Sequence, residues 1–113
     1  MSSDLFRYRG VSIAVDMAET ADMDVLLYGL SEKDLKGIHK SLTELVHSPS
    51  DRHVGGFSIR EVRGYDVVFI VGREKKTVVA TIGRIVPPDP KNPTEQILKL
   101  LNIAATFRGA TKL

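Results

Sequence analysis

The sequence predicts an α+β domain with a mostly antiparallel sheet of about five strands and two helices packed on it. Three observations carry this prediction. Residues 57–86 form three strand-like runs joined by two tight turns, residues 11–17 alternate between apolar and small or polar side chains, and two further segments combine helix caps with apolar stripes. The expected order of elements is β-β-α-β-β-β-α, in a single domain of residues 1–113.

The first turn of the 57–86 meander is predicted at Arg63-Gly64, because a two-residue hairpin turn needs residues that tolerate positive φ. The turn fixes the strand pairing, which matches Val62 with Tyr65, Arg60 with Val67, Ile59 with Val68, Ser58 with Phe69 and Phe57 with Ile70. Opposed residues share a face of the sheet. One face therefore carries Ile59 and Val68, and the other carries Val67 and Phe69.

The second turn is predicted at the charged residues 73–76. A loop of two or four residues there pairs Val71 with Val78, Phe69 with Ala80 and Val67 with Ile82. A three-residue loop moves Val78, Ala80 and Ile82 to the opposite face. In either case both faces of the middle strand are apolar, so the sheet needs a second cover.

Two alternatives exist for that second cover. If another copy of the chain supplies it, the protein is a homodimer, and Val67, Phe69 and Ile82 are candidates for the self-association surface. If the N-terminal segment supplies it, the protein is a monomer. We expect the homodimer.

The N-terminal segment is predicted to contain two strands. Residues 11–17 have strand periodicity, an acidic loop follows, and residues 25–28 form a second short apolar run. These two runs are expected to form a hairpin that extends the sheet or covers its second face. The acidic residues between and beside them, Asp16, Glu19, Asp22 and Asp24, do not have the spacing of a calcium loop, and a solvated loop is the expected structure.

Both helices have recognisable starts. Ser31 is an N-cap with Asp34 three residues later, and an apolar stripe follows, formed by Leu35, Ile38, Leu42 and Leu45. The second helix is expected to start at Asn92-Pro93. Its apolar stripe is predicted at Ile97, Leu100, Leu101, Ala104 and Phe107, widened by Leu98. A small-ligand pocket between the sheet and the face from residue 98 to residue 107 is one alternative for function.

Composition excludes several classes of function. The chain has 113 residues, 42% hydrophobic and 27% charged, with a net charge of +2, which is not the strongly basic balance of a dedicated nucleic-acid-binding protein. Because cysteine is absent, there are no disulfides, thiolate metal sites or cysteine nucleophiles. No secretory signal or membrane-spanning run is recognised, so a cytoplasmic location without membrane contact is expected. We predict no cofactor and no metal site, and the catalytic residues, if any, are unknown.

The candidate contacts for an anion or a nucleic acid are Arg60, Arg63, Arg84 and Tyr65. Arginines beside an aromatic ring are suited to holding phosphates while the ring stacks on a base. The alternative is that these arginines are solvated strand residues that cover the sheet. The three histidines, His39, His47 and His53, lack both helical metal-site spacing and an evident acid partner, and structural roles are expected for them.

Residues 31–84 resemble the core of RelE/ParE-type bacterial toxins. In that family a Y-R-V-x-Y strand is followed by a charged turn and a V-V-V-L-x-I-G-H-R strand. Residues 65–69 (YDVVF) are similar to the first motif with Asp66 in place of Arg, and residues 78–84 (VVATIGR) are similar to the second without its His. The resemblance implies an α+β fold and activity on RNA or a topoisomerase.

The chain departs from that family in two places. The family usually opens with one strand and a two-helix hairpin, whereas two strand-like runs and one helix are predicted here. After Gly83 the chain continues as RIVPP, without the His, Arg or Tyr that ribonuclease members place there. We therefore predict a non-catalytic binding or regulatory domain that self-associates. A RelE/ParE-like toxin is the alternative, and a protein partner, or less directly a nucleic acid, is the expected target.

Overall fold

The computed structural model describes residues 12–100, apart from the side chains of residues 12 and 100. Five strands and three helices lie in this range. In chain order they are β1 (Ser12–Met17), α1 (Glu19–Tyr28), α2 (Glu32–Glu44), β2 (Arg52–Val54), β3 (Phe57–Val62), β4 (Tyr65–Glu74), β5 (Thr77–Val86) and α3 (Thr94–Leu100). The predicted α+β class is confirmed, and the order of elements differs in detail.

The five strands form one mixed sheet in the order β1-β5-β4-β3-β2. Strands β3 to β5 are antiparallel neighbours, as the meander predicts, and β2 is antiparallel to β3. The first strand, β1, pairs with β5 in parallel, from Ser12 opposite Thr77 to Met17 opposite Ile82. A parallel neighbour needs a long crossover, and here that crossover contains α1, α2 and the meander itself.

The prediction of a second N-terminal strand at residues 25–28 is wrong, because these residues form the C-terminal part of α1. Ala21 and Val25, four residues apart, pack into the core from one side of this helix. The helix ends at Gly29, which adopts the left-handed conformation with φ 65°. Apolar residues also occur on the outer side of α1, so its helical periodicity is weak, and four consecutive apolar residues imitate a strand.

The hairpin turn at Arg63-Gly64 is confirmed. Both residues have positive φ, 52° and 82°. Four of the five strand pairs predicted from this turn are present, from Val62 opposite Tyr65 to Ser58 opposite Phe69. The register stops there, and Phe57 pairs with Val54 of β2. This part of the register follows from turn chemistry alone.

The second turn leaves Val78, Ala80 and Ile82 on the face predicted for a two- or four-residue loop, but they pair with different residues of β4. The loop is Lys75-Lys76, so Glu74 pairs with Thr77 and Phe69 pairs with Ile82 rather than Ala80. The shift is two residues, which leaves each side chain on its predicted face because the strand period is two. An irregularity between Val68 and Phe69 then shifts the remaining pairs of β4 and β5.

The two faces of the sheet are covered by different helices. On the first face, α1 and α2 cover a cluster that includes the fully buried residues Val67, Phe69 and Ile82. Their proposed role as a self-association surface is therefore corrected: they are buried in the intramolecular core, because α1 and α2 cover this face of the sheet. On the second face, Leu98 of α3 packs with Ile59, Val68 and Ile70.

The helix caps agree with the sequence only in part. Ser31 and Asp34 form the predicted capping box of α2, with hydrogen bonds of 3.1 Å and 3.0 Å.

In α3 the inward-facing residue is Leu98, whereas Ile97, which was predicted to belong to the core stripe, is 37% exposed. Residues 101–107 of that predicted stripe lie outside the described residues. The short strand β2 lies between α2 and the meander.

Candidate functional site

Within residues 13–99, the most exposed large apolar side chains lie on α1 and on the nearby side of α3. We call them the α1 strip. Its members, with their exposed fractions, are Met23 (63%), Leu26 (84%), Leu27 (71%), Tyr28 (37%) and Ile97 (37%). Single exposed apolar residues are ordinary, but several on one short helix mark a contact surface.

Two cavities continue the α1 strip into the body of the protein. The larger one, about 650 Å³, is a groove between the C-terminal ends of α1 and β5 and the start of α3, with Tyr28, Val86 and Leu98 among its walls. The smaller one, about 300 Å³, lies under Met23 and Leu27. Arg84 lines both cavities, so the strip and the groove form one continuous surface.

Arg84, one of the predicted anion contacts, is held in this surface by Asp24 of α1. Its Nε donates to Asp24 Oδ2 at 2.7 Å and its Nη2 donates to Oδ1 at 3.2 Å. The same Oδ2 accepts the backbone N–H of Ile85 at 3.0 Å. The bonds to Asp24 raise the pKa of the Arg84 guanidinium, although burial opposes this. The charge of Arg84 is thus compensated within the chain.

Thr20 completes the contact between α1 and the end of β5. Its hydroxyl donates to the carbonyl oxygen of Gly83 at 2.6 Å. Strand β1 stops pairing at Ile82, so Thr20 and Asp24 supply the hydrogen bonds that a strand neighbour supplies elsewhere. This arrangement fixes α1, and with it the α1 strip, on the edge of β5.

Arg60, a second predicted anion contact, is buried between the sheet and the C-terminus of α2. Its guanidinium donates to both carboxylate oxygens of Asp51, at 2.7 Å and 2.8 Å. It also donates to the carbonyl oxygen of Leu45 at 2.6 Å and to that of Ser41 at 3.0 Å, and it lies 5.3 Å from the ring centroid of Phe69. The Ser41 carbonyl also accepts the Leu45 N–H at 3.2 Å, whereas the Leu45 carbonyl lies past the last helical N–H, so Arg60 serves as a C-terminal cap chiefly at Leu45.

The Asp51 carboxyl responds to two opposing effects. Burial raises its pKa, but hydrogen bonds from Arg60 and from the Ser48 N–H lower it, and the net pKa lies below the ordinary value. The carboxylate is therefore the favoured form in the folded protein. Together, Asp51 and Arg60 connect the loop before β2, strand β3 and the end of α2.

Arg63 and Tyr65 flank the first hairpin turn. Arg63 is half exposed, and its Nε donates to Asp34 Oδ1 at 2.9 Å. Tyr65 is half buried and packs against the first-face core. The structure does not bring the four predicted contact residues together, because Arg60 is enclosed, Arg63 lies at the hairpin and Arg84 lies beside α1. Their contact with an anion stays a prediction.

A further charged cluster ties α3 to the sheet. Asp66, which is buried, accepts hydrogen bonds from the hydroxyl of Thr94 at 2.7 Å and pairs with Arg52 at 2.9 Å. Arg52 also lies 3.5 Å from Glu95. Burial lowers the pKa of Arg52, but Asp66 and Glu95 outweigh it and the pKa is raised. The cluster holds the first turn of α3 over β2 and β4.

The acidic residues of the N-terminal segment do not form the predicted loop. Glu19, Asp22 and Asp24 belong to α1, and Asp24 is buried while Glu19 and Asp22 are exposed. Within residues 12–100, no group of three or more histidine or acidic residues is placed to hold a metal ion. Within the same part of the chain, none of the helices has both the length and the apolar content to cross a membrane.

Comparisons of the chain with protein-family models, with curated proteins and with solved structures found no match.

Sequence reasoning missed the α1 strip and the acidic partners of the arginines. The signal for the strip is Gly29, a typical residue after the last turn of a helix, which predicts a helix rather than a strand before it. With that helix in place, positions 19, 22, 23, 26 and 27 share one face. The partnerships Asp24–Arg84 and Asp51–Arg60 have no such local signal.

Proposed function

We propose that this chain is a small non-catalytic binding and regulatory domain that self-associates through the α1 strip. The observation that carries the proposal is the exposure of Met23, Leu26 and Leu27, which are 63–84% exposed on a ten-residue helix. Transfer of such side chains out of water contributes about 1.5–3 kcal/mol each when burial is complete. Binding of a polypeptide that buries these side chains is stabilised by this free energy.

The placement of the arginines supports binding rather than phosphate chemistry. Arg60, Arg63 and Arg84 each donate to a carboxylate of the same chain. An arginine that is already paired in this way offers less charge to a phosphate, because its partner cancels much of the field. The apolar strip, in contrast, has no partner within the described residues.

Leu26→Asp is expected to weaken self-association at least about tenfold, because a charged side chain would then have to be buried in the contact. Light scattering after size exclusion, over a dilution series, measures the effect. Lys76→Gln at the exposed tip between β4 and β5 changes the net charge by the same amount and serves as the control. A wild-type chain that stays monomeric at every concentration would refute self-association.

A RelE/ParE-like toxin is the second candidate, and one observation favours it. Within residues 12–100, one strand is followed by two consecutive helices and then by the meander. This order supports the toxin-like candidate, because the family usually opens with one strand and a two-helix hairpin. The second departure remains, since residues 84–88 (RIVPP) contain no His or Tyr and their single arginine, Arg84, is paired with Asp24.

Binding of RNA and duplex DNA at about 50 and about 200 mM salt separates the two candidates. Six phosphate contacts reduce affinity about a thousandfold across this range. Our leading proposal predicts no such binding. Steep salt dependence that is reduced by Arg63→Ala, but not by Lys36→Ala on the exposed face of α2, would instead support the toxin-like candidate.

A further inference from the structure

We propose that the groove between α1, β5 and α3 binds a neutral, mostly apolar small molecule whose carbonyl oxygen accepts hydrogen bonds from Arg84 and Tyr28. The inference goes beyond self-association, because the described walls of the groove all belong to one copy of the chain. It gives a role to the N–H groups of Arg84 that the contact with Asp24 does not use.

The groove has the size and the lining of a small-molecule site. Its volume is about 650 Å³, and small-molecule pockets measure roughly 300–1,000 Å³. Apolar side chains form most of its described walls, namely Val86, Pro87, Pro88, Ile97 and Leu98. A ligand with an apolar body is favoured here, because its binding removes the apolar surface of both partners from water.

The walls of the groove are positioned by rigid parts of the fold. The rings of Pro87 and Pro88 fix their own φ. Helix α1 is attached to the end of β5 through Thr20 and Asp24. Leu98 packs into the cluster on the second face of the sheet. A site that exists before its ligand arrives loses little conformational entropy on binding, so the groove is suited to a small ligand without rearrangement.

Arg84 lines the groove and has donors to spare. A guanidinium carries five N–H groups, and Asp24 accepts only from Nε and Nη2, at 2.7 Å and 3.2 Å. Within residues 12–100, no further hydrogen bond is made by Nη2 or by Nη1. Because the guanidinium is planar and Asp24 lies along its Nε–Nη2 edge, the N–H groups of Nη1 point away from Asp24. They are available to an acceptor in the groove.

The hydroxyl of Tyr28 is the second donor. Tyr28 also lines the groove, and in the described part of the chain its hydroxyl makes no hydrogen bond. The hydrogen bonds to Asp24 raise the pKa of Arg84 most, burial lowers it, and interaction with Tyr28 adds a smaller rise. The phenolic oxygen therefore lies close to the guanidinium. One carbonyl oxygen has two lone pairs and accepts from both donors.

The charges of the groove favour a neutral ligand over an anion. The carboxylate of Asp24 lies 2.7 Å from Arg84 and compensates its charge. Asp89, the other charged residue among the described walls, is a second carboxylate, and it accepts the N–H of Lys91 at 2.9 Å. An anion in the groove would be repelled by both carboxylates. A carbonyl group accepts the free N–H groups without adding a charge.

Three molecules of nearly the same shape test this chemistry. Acetophenone has the carbonyl, ethylbenzene lacks it, and benzoate has a carboxylate in its place. Each is titrated into the full chain and followed by nitrogen–proton NMR correlation spectra. We expect acetophenone to shift the amide signals of Tyr28, Val86 and Ile97, and to bind at least about tenfold more tightly than benzoate.

Two variants test the donors. Tyr28→Phe removes only the hydroxyl and is expected to weaken acetophenone binding at least about threefold. Arg84→Lys keeps a cation for Asp24 but loses the planar fork, and it is expected to weaken acetophenone binding at least about tenfold. Ethylbenzene accepts no hydrogen bond, so its affinity is expected to stay within about twofold in both variants. If Arg84→Lys weakens both ligands because α1 moves, the result with Tyr28→Phe decides.

A third variant tests the location. Ile97→Trp places a larger side chain in the groove and is expected to abolish binding of both acetophenone and ethylbenzene. Gln96→Trp is the matched control, because Gln96 is the exposed neighbour of Ile97 on α3 and is not among the groove walls. It is expected to bind both molecules like the wild type.

Four results would overturn the proposal. If acetophenone shifts no groove signal up to its solubility limit, or still binds to Ile97→Trp, the groove is not its site. If benzoate binds as tightly as acetophenone, the charge of Arg84 is not compensated. If Tyr28→Phe leaves acetophenone binding unchanged, the groove does not hold a carbonyl in the way proposed. A wild type that is monomeric at all concentrations refutes self-association and leaves the groove unaffected.

Discussion

Arg60→Ala is expected to lower the free energy of unfolding by about 3–5 kcal/mol, because it leaves a buried carboxylate without its partner. The side chains of Arg60 and Asp51 are 8% and 1% exposed. The substitution also removes the donor to the Leu45 carbonyl at the end of α2 and one of the two donors to the Ser41 carbonyl, which keeps the Leu45 N–H. Urea denaturation followed by circular dichroism measures the change.

Arg63→Ala is the matched control. Arg63 also pairs with an aspartate, Asp34, at 2.9 Å, but it is 47% exposed and water screens the pair. Its loss is expected to be a small fraction of the loss for Arg60→Ala. Equal losses of unfolding free energy for the two variants would mean that burial does not make the Arg60–Asp51 pair more stabilising than the exposed Arg63–Asp34 pair. The double variant Arg60→Met, Asp51→Leu is expected to recover much of the stability, because no buried charge then remains.

The effect of Arg60→Ala should depend on pH. In the wild type the pKa of Asp51 lies below its ordinary value, so the stabilisation is present above about pH 4 and is lost as the pH falls through the lowered pKa. In the variant, burial of Asp51 is no longer opposed by Arg60, which favours the neutral carboxyl. The stability difference between the two proteins is therefore expected to shrink as the pH is lowered from 7 towards 3. A constant difference would contradict this account of Asp51.

Asp24→Ala is expected to lower the free energy of unfolding by about 2–3 kcal/mol, because it leaves both a charged and a backbone donor unsatisfied. Arg84 is only 24% exposed at its side chain, and the N–H of Ile85 is buried. Helix α1 depends on this contact for its position on β5. The same denaturation experiment measures the loss, and hydrogen exchange should show faster opening of α1.

Asp22→Ala is the control for this prediction, since Asp22 lies on the same helix, two residues away, with its side chain exposed. Its replacement removes a charge near the N-terminus of α1, an effect of about 0.3–1 kcal/mol. If Asp24→Ala costs no more than Asp22→Ala, the Arg84 pair does not anchor α1. Self-association should also weaken in Asp24→Ala, because the strip is carried by α1.

The success of prediction along the chain follows the range of the interactions involved. The hairpin at Arg63-Gly64 and the capping box of Ser31 and Asp34 depend on residues within a few positions of each other, and both are confirmed. The strand prediction at residues 25–28 failed because the structure of these residues depends on contacts with distant parts of the chain. Their local pattern is ambiguous between a buried strand and a helix with an exposed apolar side, and the decision depends on what Ala21 and Val25 pack against.

The candidate site shows the same division. Arg60 and Arg84 are recognisable in the sequence as arginines in strands, but the sequence does not indicate that Asp51 and Asp24 neutralise them. These partners are 9 and 60 residues away, and they come within 2.7 Å only when α1, α2 and the sheet are assembled. The α1 strip likewise appears only when the other side of the helix is buried.

By itself, the sequence determined the α+β class, the meander with its first register, the faces of β3 and β4, and the cap of α2, because turns, caps and alternation are local properties of the chain. Only the tertiary structure decided that β1 lies parallel to β5, that α1 is a helix, and that Val67, Phe69 and Ile82 form the core. It also decided which apolar residues of α1 remain exposed to solvent. Those outcomes depend on contacts between distant segments, whose free energies are set by how the whole sheet is covered.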